Sequence, residues 1–361
     1  MSRTSEGKHV TDREHAQVKE RQSTMAPNPT VVFQRPGEVI LEERAVPAPG
    51  AGELLIKTRC TLISTGTELT ILTGDFRPDS AWSAYGRRFP FLPGYNNVGD
   101  VIELGAGVDR HWLGRRVATY GCHARYVSAA ASDARVIPAP VRDEHAVFFT
   151  IAEIVMNGVR RGNVQWGESA VIFGLGLLGQ LAVRVCQLCG ARPIVAVDVA
   201  ESRLQRLPDD PAVFPVDGTR DDVPSVVDDA TRGRKADVVF EVTGNPESIP
   251  AQVPLLHSLG RLVVLSSPWG ETRFDFHDLC NGPSISIIGA HNGSHPAHAT
   301  VHTPWTQHRH AELFFDLVAD GKLEMEPLIS HRAQYGQAPE LYAMLTENRS
   351  SAMGVILEWA G

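Results

Sequence analysis

Ser-Ala-Val-Ile-Phe-Gly-Leu-Gly-Leu-Leu-Gly, residues 169–179, is followed nineteen residues later by Asp198, the last residue of Ile-Val-Ala-Val-Asp. This stretch reads as a whole βαβ unit. Val171–Phe173 is a short apolar run that suits a buried parallel strand. Gly174, Gly176 and Gly179 set a GxGxxG spacing. The first glycine permits a tight turn, the second lets a pyrophosphate approach the backbone, and the third lets helix and strand pack closely. Leu178, Leu181, Ala182, Val185 and Leu188 recur at helical spacing, and Gly190 suits the position just past the helix end. Leu175, Leu177 and Leu178 complete the loop, whose free N–H groups and positive helix end would hold a diphosphate. Asp198 would accept both ribose hydroxyls of NAD and repel the 2′-phosphate of NADP. Arg203 is close enough in sequence to soften that preference, and otherwise reads as a solvated helix residue.

The chain has 361 residues, 43% hydrophobic and 21% charged, which suggests about two soluble domains. Its net charge of -8 argues against nucleic acid as a partner. No apolar run approaches the roughly 20 residues that span a bilayer, so no membrane partner is expected. Five scattered cysteines suggest reduced thiols in a cytoplasmic protein. Cys186 and Cys189 form a CxxC but lie inside the expected helix, so they read as helix residues rather than a redox pair. Residues 1–28 are polar, lack the apolar core of a secretory signal and read as a disordered extension, with Met25 an alternative start.

From residue 29 to 152 short apolar runs alternate with Pro/Gly turns, the pattern of a compact β barrel. From 153 to 293 strands at 170–173, 194–198, 238–242, 262–265 and 285–289 alternate with helical patterns, the doubly wound α/β arrangement. Residues 294–361 contain two amphipathic helices and a returning strand, Gly-Val-Ile-Leu-Glu-Trp. His291, His295, His298, His302, His308 and His310 fall within twenty residues.

This order resembles the medium-chain dehydrogenase/reductase family. The resemblance rests on Gly-Thr-Glu (66–68), Pro-Gly-Tyr-Asn-Asn-Val-Gly-Asp-Val-Ile-Glu-Leu-Gly (93–105), the GLGLLG loop, Glu-Val-Thr-Gly-Asn (241–245, with Thr243 beside the cofactor) and Leu-Ile-Ser-His-Arg (328–332). It implies a GroES-like catalytic domain, a Rossmann domain, an active site in the cleft between them, and homodimers or homotetramers joined through 284–289. The chain departs from the zinc-dependent pattern at each ligand position. Thr65 precedes Gly-Thr-Glu where that pattern has Cys, Gly94-Tyr95-Asn96 replaces Gly-His-Glu, and the third ligand falls near Thr150. No run of four close cysteines exists. Zinc needs Cys, His or carboxylate donors, so the expectation is a metal-free member, nearest in its Ser-Thr-Gly-Thr-Glu…Pro-Gly-Tyr pattern to a branch with bacteriochlorophyllide dehydrogenase-like proteins.

The implied reaction is NAD-dependent hydride transfer to or from a polar alcohol or ketone of the cyclitol, sugar or amino-alcohol type, with a biosynthetic role expected. Without zinc a side chain must manage the hydroxyl proton. Tyr95 either donates to a developing alkoxide or fills the volume a metal ligand vacated. Glu153 is either a base with a raised pKa or the partner of Arg160 or Arg161. Thr65 and Asn96, with Ser64 and Thr67, offer hydrogen bonds to substrate. Glu68 and His331 read as structural. His291 and His295 are candidate proton relays, and His298, His302, His308 and His310 read as a polar surface loop. An NADPH-linked enone or quinone reductase and a non-catalytic NAD(H)-binding sensor are the alternatives.

Overall fold

The computed structural model describes residues 27–359, apart from 75, 78 and 87. The extension expected over 1–28 and the start at Met25 lie outside the described residues, except that Asn28 is not extension at all. It is buried, opens the first strand, and its Oδ1 accepts the Tyr126 N–H at 2.8 Å.

Seven strands form before residue 140: β1 (Asn28–Arg35), β2 (Glu38–Arg44), β3 (Glu53–Ile63), β4 (Asn97–Leu104), β5 (Arg116–Thr119), β6 (Tyr126–Ala130) and β7 (Arg135–Val136). A short helix, α1 (Thr67–Thr73), follows β3. β3 organises this domain. It pairs antiparallel with β4 along one edge and, along the other, with β6 at its start. The rest of that edge takes β15 (Gly354–Glu358), which is itself flanked by β14 (Ile329–Gln334). The chain end therefore pairs with the sheet of the first domain. Trp359 is buried there and donates from Nε1 to Thr61 Oγ1 at 3.0 Å.

The middle of the chain is a six-stranded parallel sheet. Its strands are β8 (Ala170–Phe173), β9 (Ile194–Asp198), β10 (Val213–Asp217), β11 (Ala236–Glu241), β12 (Leu256–Val264) and β13 (Ser286–Gly289), in the order β10-β9-β8-β11-β12-β13. The order reverses between β8 and β11, and ligands bind at such a switch point. β10 does not show in the apolar pattern because Pro215 interrupts it, which an edge strand tolerates. β12 begins six residues before the apolar run at 262, because polar residues and Leu259 at φ +71 obscure its first half.

Helix α2 (Phe149–Arg161) crosses the boundary expected at 152/153. Ten of its residues, from Phe149 to Val159, are buried. One continuous core contains Leu62 and Val98 of the first sheet, Phe149 and Val155 of α2, and Ile172 and Phe240 of the second. Each such large side chain, fully buried, contributes about 1.5–3 kcal/mol. Helix α3 (Leu177–Leu188) follows the glycine turn, with Gly190 at φ +81 just beyond its end. Helices α4 (Gln307–Ala319) and α5 (Ala338–Glu347) occupy the return segment. No helix among the described residues is long and apolar enough to cross a membrane.

The close approach of α3 to β8 generates a test. A Cβ on Gly179 would lie 1.8 Å from the Gly174 carbonyl oxygen, a backbone atom that cannot swing away. Gly179→Ala is expected to cost about 1–3 kcal/mol and to abolish dinucleotide binding. A thermal melt and NADH titration matching the parent protein would refute this.

Candidate active site

β8 ends at Phe173, Gly174 turns the chain at φ +91, and α3 begins at Leu177. A Cβ on Gly176 would meet open space, so the loop presents bare backbone there. Leu177 packs into the core and Leu178 against it. Asp198, 5% exposed, holds the loop: Oδ2 accepts the Leu175 N–H at 2.6 Å and Oδ1 the Ala200 N–H at 2.9 Å. Arg203 is not the solvated residue that its helical position suggested. The short turn Glu201–Leu204 brings its Nη1 to 3.3 Å from Asp198 Oδ2.

Two further contacts shape this end: the sequence marks Glu241 only as part of the 241–245 motif, and Arg349 not at all. Glu241 is fully buried, and Oε1 accepts the Thr243 and Gly244 N–H groups at 2.7 and 3.1 Å and the Thr243 hydroxyl, while Oε2 accepts from Ser266. One carboxylate thus fixes the loops after β11 and β12. Thr243 spends its hydroxyl on Glu241, and a Cβ on Gly174 would lie 2.9 Å from its backbone nitrogen. Arg349, beyond α5, donates to Gly66 O at 3.4 Å, and its own carbonyl accepts from Arg203 at 3.5 Å. An isolated arginine in a polar loop carries no sequence signal for that bridge.

Tyr95 stands on the first domain's side, partly exposed. Its hydroxyl donates to Ser64 Oγ, and Thr67 also hydrogen-bonds the phenol. Burial of the hydroxyl, and then the Glu68 carboxylate nearby, push the phenol up to about 12. Thr65 and Thr67 are half-buried. Asn96 is different: it is fully buried, with Nδ2 on Leu62 O at 3.4 Å and Oδ1 unpaired, so it does not reach substrate as expected. Asn96 immediately precedes β4 and is held against β3, its backbone carbonyl accepting the Leu62 N–H at 3.1 Å.

Helix α2 carries a polar stripe at positions 150, 153, 157 and 160. Thr150 donates to Tyr95 O at 3.1 Å. Glu153, fully buried, does not pair with Arg160 or Arg161. Oε2 accepts the Tyr120 hydroxyl at 2.9 Å, and Arg135 Nε lies 3.8 Å from Oε1. Burial raises its carboxyl to about 8, against the pull of Arg135 and Tyr120. Asn157 donates to Ser294 Oγ at 2.8 Å. Arg161 donates to Gly289 O at 2.8 Å.

Arg160 reaches the histidine segment. Its guanidinium lies 3.3 Å over the Trp305 ring, and its Nε donates to His310 Nε2 at 3.0 Å. His310 Nδ1 meets His295 Nε2 at 2.9 Å, and His295 Nδ1 meets Asn292 O at 2.7 Å. Arginine only donates and a carbonyl only accepts, so both rings are neutral and the chain runs one way. His310 is therefore no surface residue: it is fully buried on α4, because the Arg160–Trp305 stack closes over it. His291 is exposed and accepts the Gly293 N–H at 3.0 Å, a turn-capping role that leaves it outside the relay formed by His295 and His310. His298, His302 and His308 are exposed. His331 bonds Ser330 at 2.8 Å within β14.

A zinc ion does not suit the cleft. Thr65 and Thr150 offer neutral hydroxyls, the latter spent on a carbonyl, and Tyr95 offers a phenol that resists ionisation. Zinc takes thiolate, imidazole or carboxylate. Among the described residues the one close group of such side chains is Glu144, His145 and Glu326, and Arg142 and Arg332 already neutralise its acids. A nicotinamide dinucleotide does suit the site: Gly174–Gly179 and Asp198 would hold its diphosphate and ribose, with Tyr95 across the cleft.

A family model described as alcohol dehydrogenase GroES-like domain matches residues 50–140, and one described as zinc-binding dehydrogenase matches 178–305. The chain is 26% identical over 322 residues to an L-threonine 3-dehydrogenase of Pyrococcus horikoshii, covering 81% of this chain and 87% of that protein. It is 27% identical over 289 residues to a D-guloside 3-dehydrogenase of Shigella flexneri, covering 78% and 82%. A putative zinc-binding dehydrogenase from Sinorhizobium meliloti, solved bound to NADP, shares the fold at a TM-score of 0.76 and 22% identity, over 92% of this chain and 100% of that one.

Asp198→Ala removes the acceptor for two backbone N–H groups and frees Arg203. NAD(H) affinity is expected to fall about tenfold or more, since a charged hydrogen bond is worth ~1.5–3 kcal/mol. NADP(H) should lose less, and an unchanged NAD/NADP ratio would remove Asp198 from the ribose. The histidine chain predicts a pH effect. Burial first, then His295, Arg160 and Arg309, lower His310 to about 3, and burial lowers His295 as well. The unfolded chain thus binds more protons below about pH 6.5. The chain's stabilisation is complete above that pH and drains as pH falls toward 3. Melting temperature should drop more steeply from pH 6.5 to 4 in the parent than in His310→Gln; parallel slopes would count against the neutral chain.

Proposed function

We propose that this chain is an oxidoreductase of the alcohol dehydrogenase type in the medium-chain dehydrogenase/reductase family, and within it a zinc-independent, NAD(H)-dependent dehydrogenase or ketone reductase. Its substrate is a polar alcohol or its ketone, of the cyclitol, sugar or amino-alcohol kind. Relatives named for threonine and guloside oxidation support that class, since both carry a secondary alcohol among other polar groups.

The observation that carries the reading is Tyr95. It occupies the position of a histidine ligand in the zinc-dependent pattern, with its hydroxyl bonded to Ser64 and its backbone carbonyl held by Thr150. A bound nicotinamide supplies the hydride chemistry. The chain's own task is to hold dinucleotide and substrate and to place a proton on the substrate oxygen, worth about 10²–10⁴ in rate. Tyr95 is the donor in this proposal. Glu153 stands second, since Tyr120 and Arg135 enclose it.

A second reading, NADPH-linked reduction of an enone or quinone, draws support from Arg203 beside Asp198, a guanidinium able to meet a 2′-phosphate. The exposed edge of β13, with Ile287 43% exposed, suits pairing with a second copy as a homodimer.

Tyr95→Phe should lower kcat about 10²–10⁴-fold with NADH affinity unchanged, and zinc per chain, by elemental mass spectrometry on dialysed tag-free protein, should be near zero. Full activity in the variant would reduce Tyr95 to packing. One zinc per chain would overturn the metal-free reading.

A further inference from the structure

Behind Tyr95 lies a group of buried polar residues that the hydride reaction as described does not use. Glu68, 1% exposed, is its centre. Oε1 accepts the Ser64 N–H at 3.1 Å while the Glu68 N–H donates to Ser64 O at 3.2 Å, so the 64–68 turn is closed from both ends. Oε2 accepts from the Tyr342 hydroxyl and faces His123 Nε2 at 3.2 Å. His123 Nδ1 lies 2.8 Å from Thr61 Oγ1, which accepts from Trp359 Nε1 at 3.0 Å. Every member is satisfied with His123 neutral and protonated on Nε2: Trp359 donates to Thr61, Thr61 to His123, and His123 to Glu68. β3, the loop before β6, α5 and the chain end thus converge on one carboxylate that clamps Ser64.

Ser64 is what the clamp holds in place. It is 6% exposed, and its oxygen accepts the Tyr95 proton. Among the described residues its own hydroxyl hydrogen has no acceptor. A buried donor left unmatched costs free energy, and a substrate oxygen entering beside Tyr95 would satisfy it. Thr67, on the other side of the phenol and more exposed, extends the same series of hydroxyls outward.

We propose that Ser64 is a catalytic residue alongside Tyr95, delivering the proton to the substrate oxygen while Tyr95 replaces it, and that Glu68, clamped by His123 and Tyr342, is the positioning residue for the pair. The proposal rests on the reading of Tyr95 as proton carrier. In the reducing direction the carbonyl carbon gains a hydride, with its electron pair, from reduced nicotinamide. The oxygen gains the Ser64 proton, Ser64 Oγ regains one from Tyr95, and Tyr95 takes its replacement from water by way of Thr67. Oxidation runs the same transfers backwards. The Glu68 carboxylate has no cation facing it among the residues that touch it: Tyr342, His123 and the Ser64 backbone surround it, Tyr95 lies beyond, and Arg349 bonds Gly66 rather than Glu68. Its charge keeps the proton on Tyr95 until substrate calls for it.

The first readout needs no substrate. In cofactor-free protein labelled with 13Cζ-tyrosine, six signals are expected from the six tyrosines, and Tyr95→Phe identifies one of them. Ser64→Ala should shift that signal and Ser64→Thr, which keeps the hydroxyl, should restore it; a signal indifferent to Ser64→Ala overturns the pairing. The second readout is NADH oxidation with hydroxyacetone as the probe ketone. Ser64→Ala and Tyr95→Phe should each lower kcat about 10²-fold or more, and the double variant little further, because the two act in one relay. NADH affinity by fluorescence should stay unchanged, which also certifies the fold. Glu68→Gln should move the basic limb of the kcat/KM profile to lower pH, whereas a merely structural loss would depress all pH values alike. Retained kcat in Ser64→Ala with loss in Tyr95→Phe would overturn the proposal and leave Tyr95 as direct donor. NADH binding without turnover in the parent protein would instead overturn the reading beneath it.

Discussion

Helix α2 is the constraint on which the two domains depend. It is enclosed on nearly every side, and its apolar residues belong to a core that continues into both sheets. A helix buried in this way has no water to satisfy its polar side chains, so each must find a partner. The polar stripe at 150, 153, 157 and 160 does so, with a different structural unit at each step: the loop bearing Tyr95, the Tyr120–Arg135 pair, the 291–294 turn and the His310 ring of α4. The spacing of three, four and three residues places the stripe on one face. Rotating or shortening this helix would disturb cleft, histidine segment and domain contact together.

The cleft inherits its character from that arrangement. On the Rossmann side the carboxylates of Asp198 and Glu241 are spent mainly on backbone N–H groups. They act first as fasteners of loops, and the open backbone around Gly176 is what remains for a ligand. On the opposite side the donors are hydroxyls, Ser64, Thr67 and Tyr95, with one buried carboxylate behind them. A metal-using cleft needs anionic or imidazole donors converging on one point, and a hydroxyl cleft needs fixed O–H directions. The buried hydrogen bonds around the 64–68 turn fix the position of Ser64 beside the Tyr95 hydroxyl.

Much of the fold is legible in the chain itself. The glycine spacing, the apolar strand before it and Asp198 after it define the βαβ unit, since close backbone approach excludes any side chain at Gly179. Apolar periodicity also marks α3, α4, α5 and β15 in their correct places. These are local properties: which face is apolar, where a turn needs glycine, where a helix must stop. Replacement of ligand-type residues at 65 and 95 is equally local, because the donor chemistry of a side chain does not depend on its surroundings.

Other features exist only once distant segments meet. His310 reads as one of several surface histidines until Trp305 and Arg160 close over it. Glu153 meets Arg135, eighteen positions away on another element, rather than the arginines of its own helix, which Trp305 with His310 and the Gly289 carbonyl take up instead. Arg203 reads as solvated until a short turn folds it back onto Asp198. Asn96 is buried by its bonds to Leu62 of β3, and Glu68 acquires His123 and Tyr342 from segments 55 and 274 residues distant. The sequence by itself determined the architecture and the kind of donors available at the cleft, because those depend on periodicity and side-chain chemistry. Tertiary structure alone decided which polar groups are buried, and so which are fasteners and which are left free to act, because burial and pairing are properties of contacts between segments that no local pattern encodes.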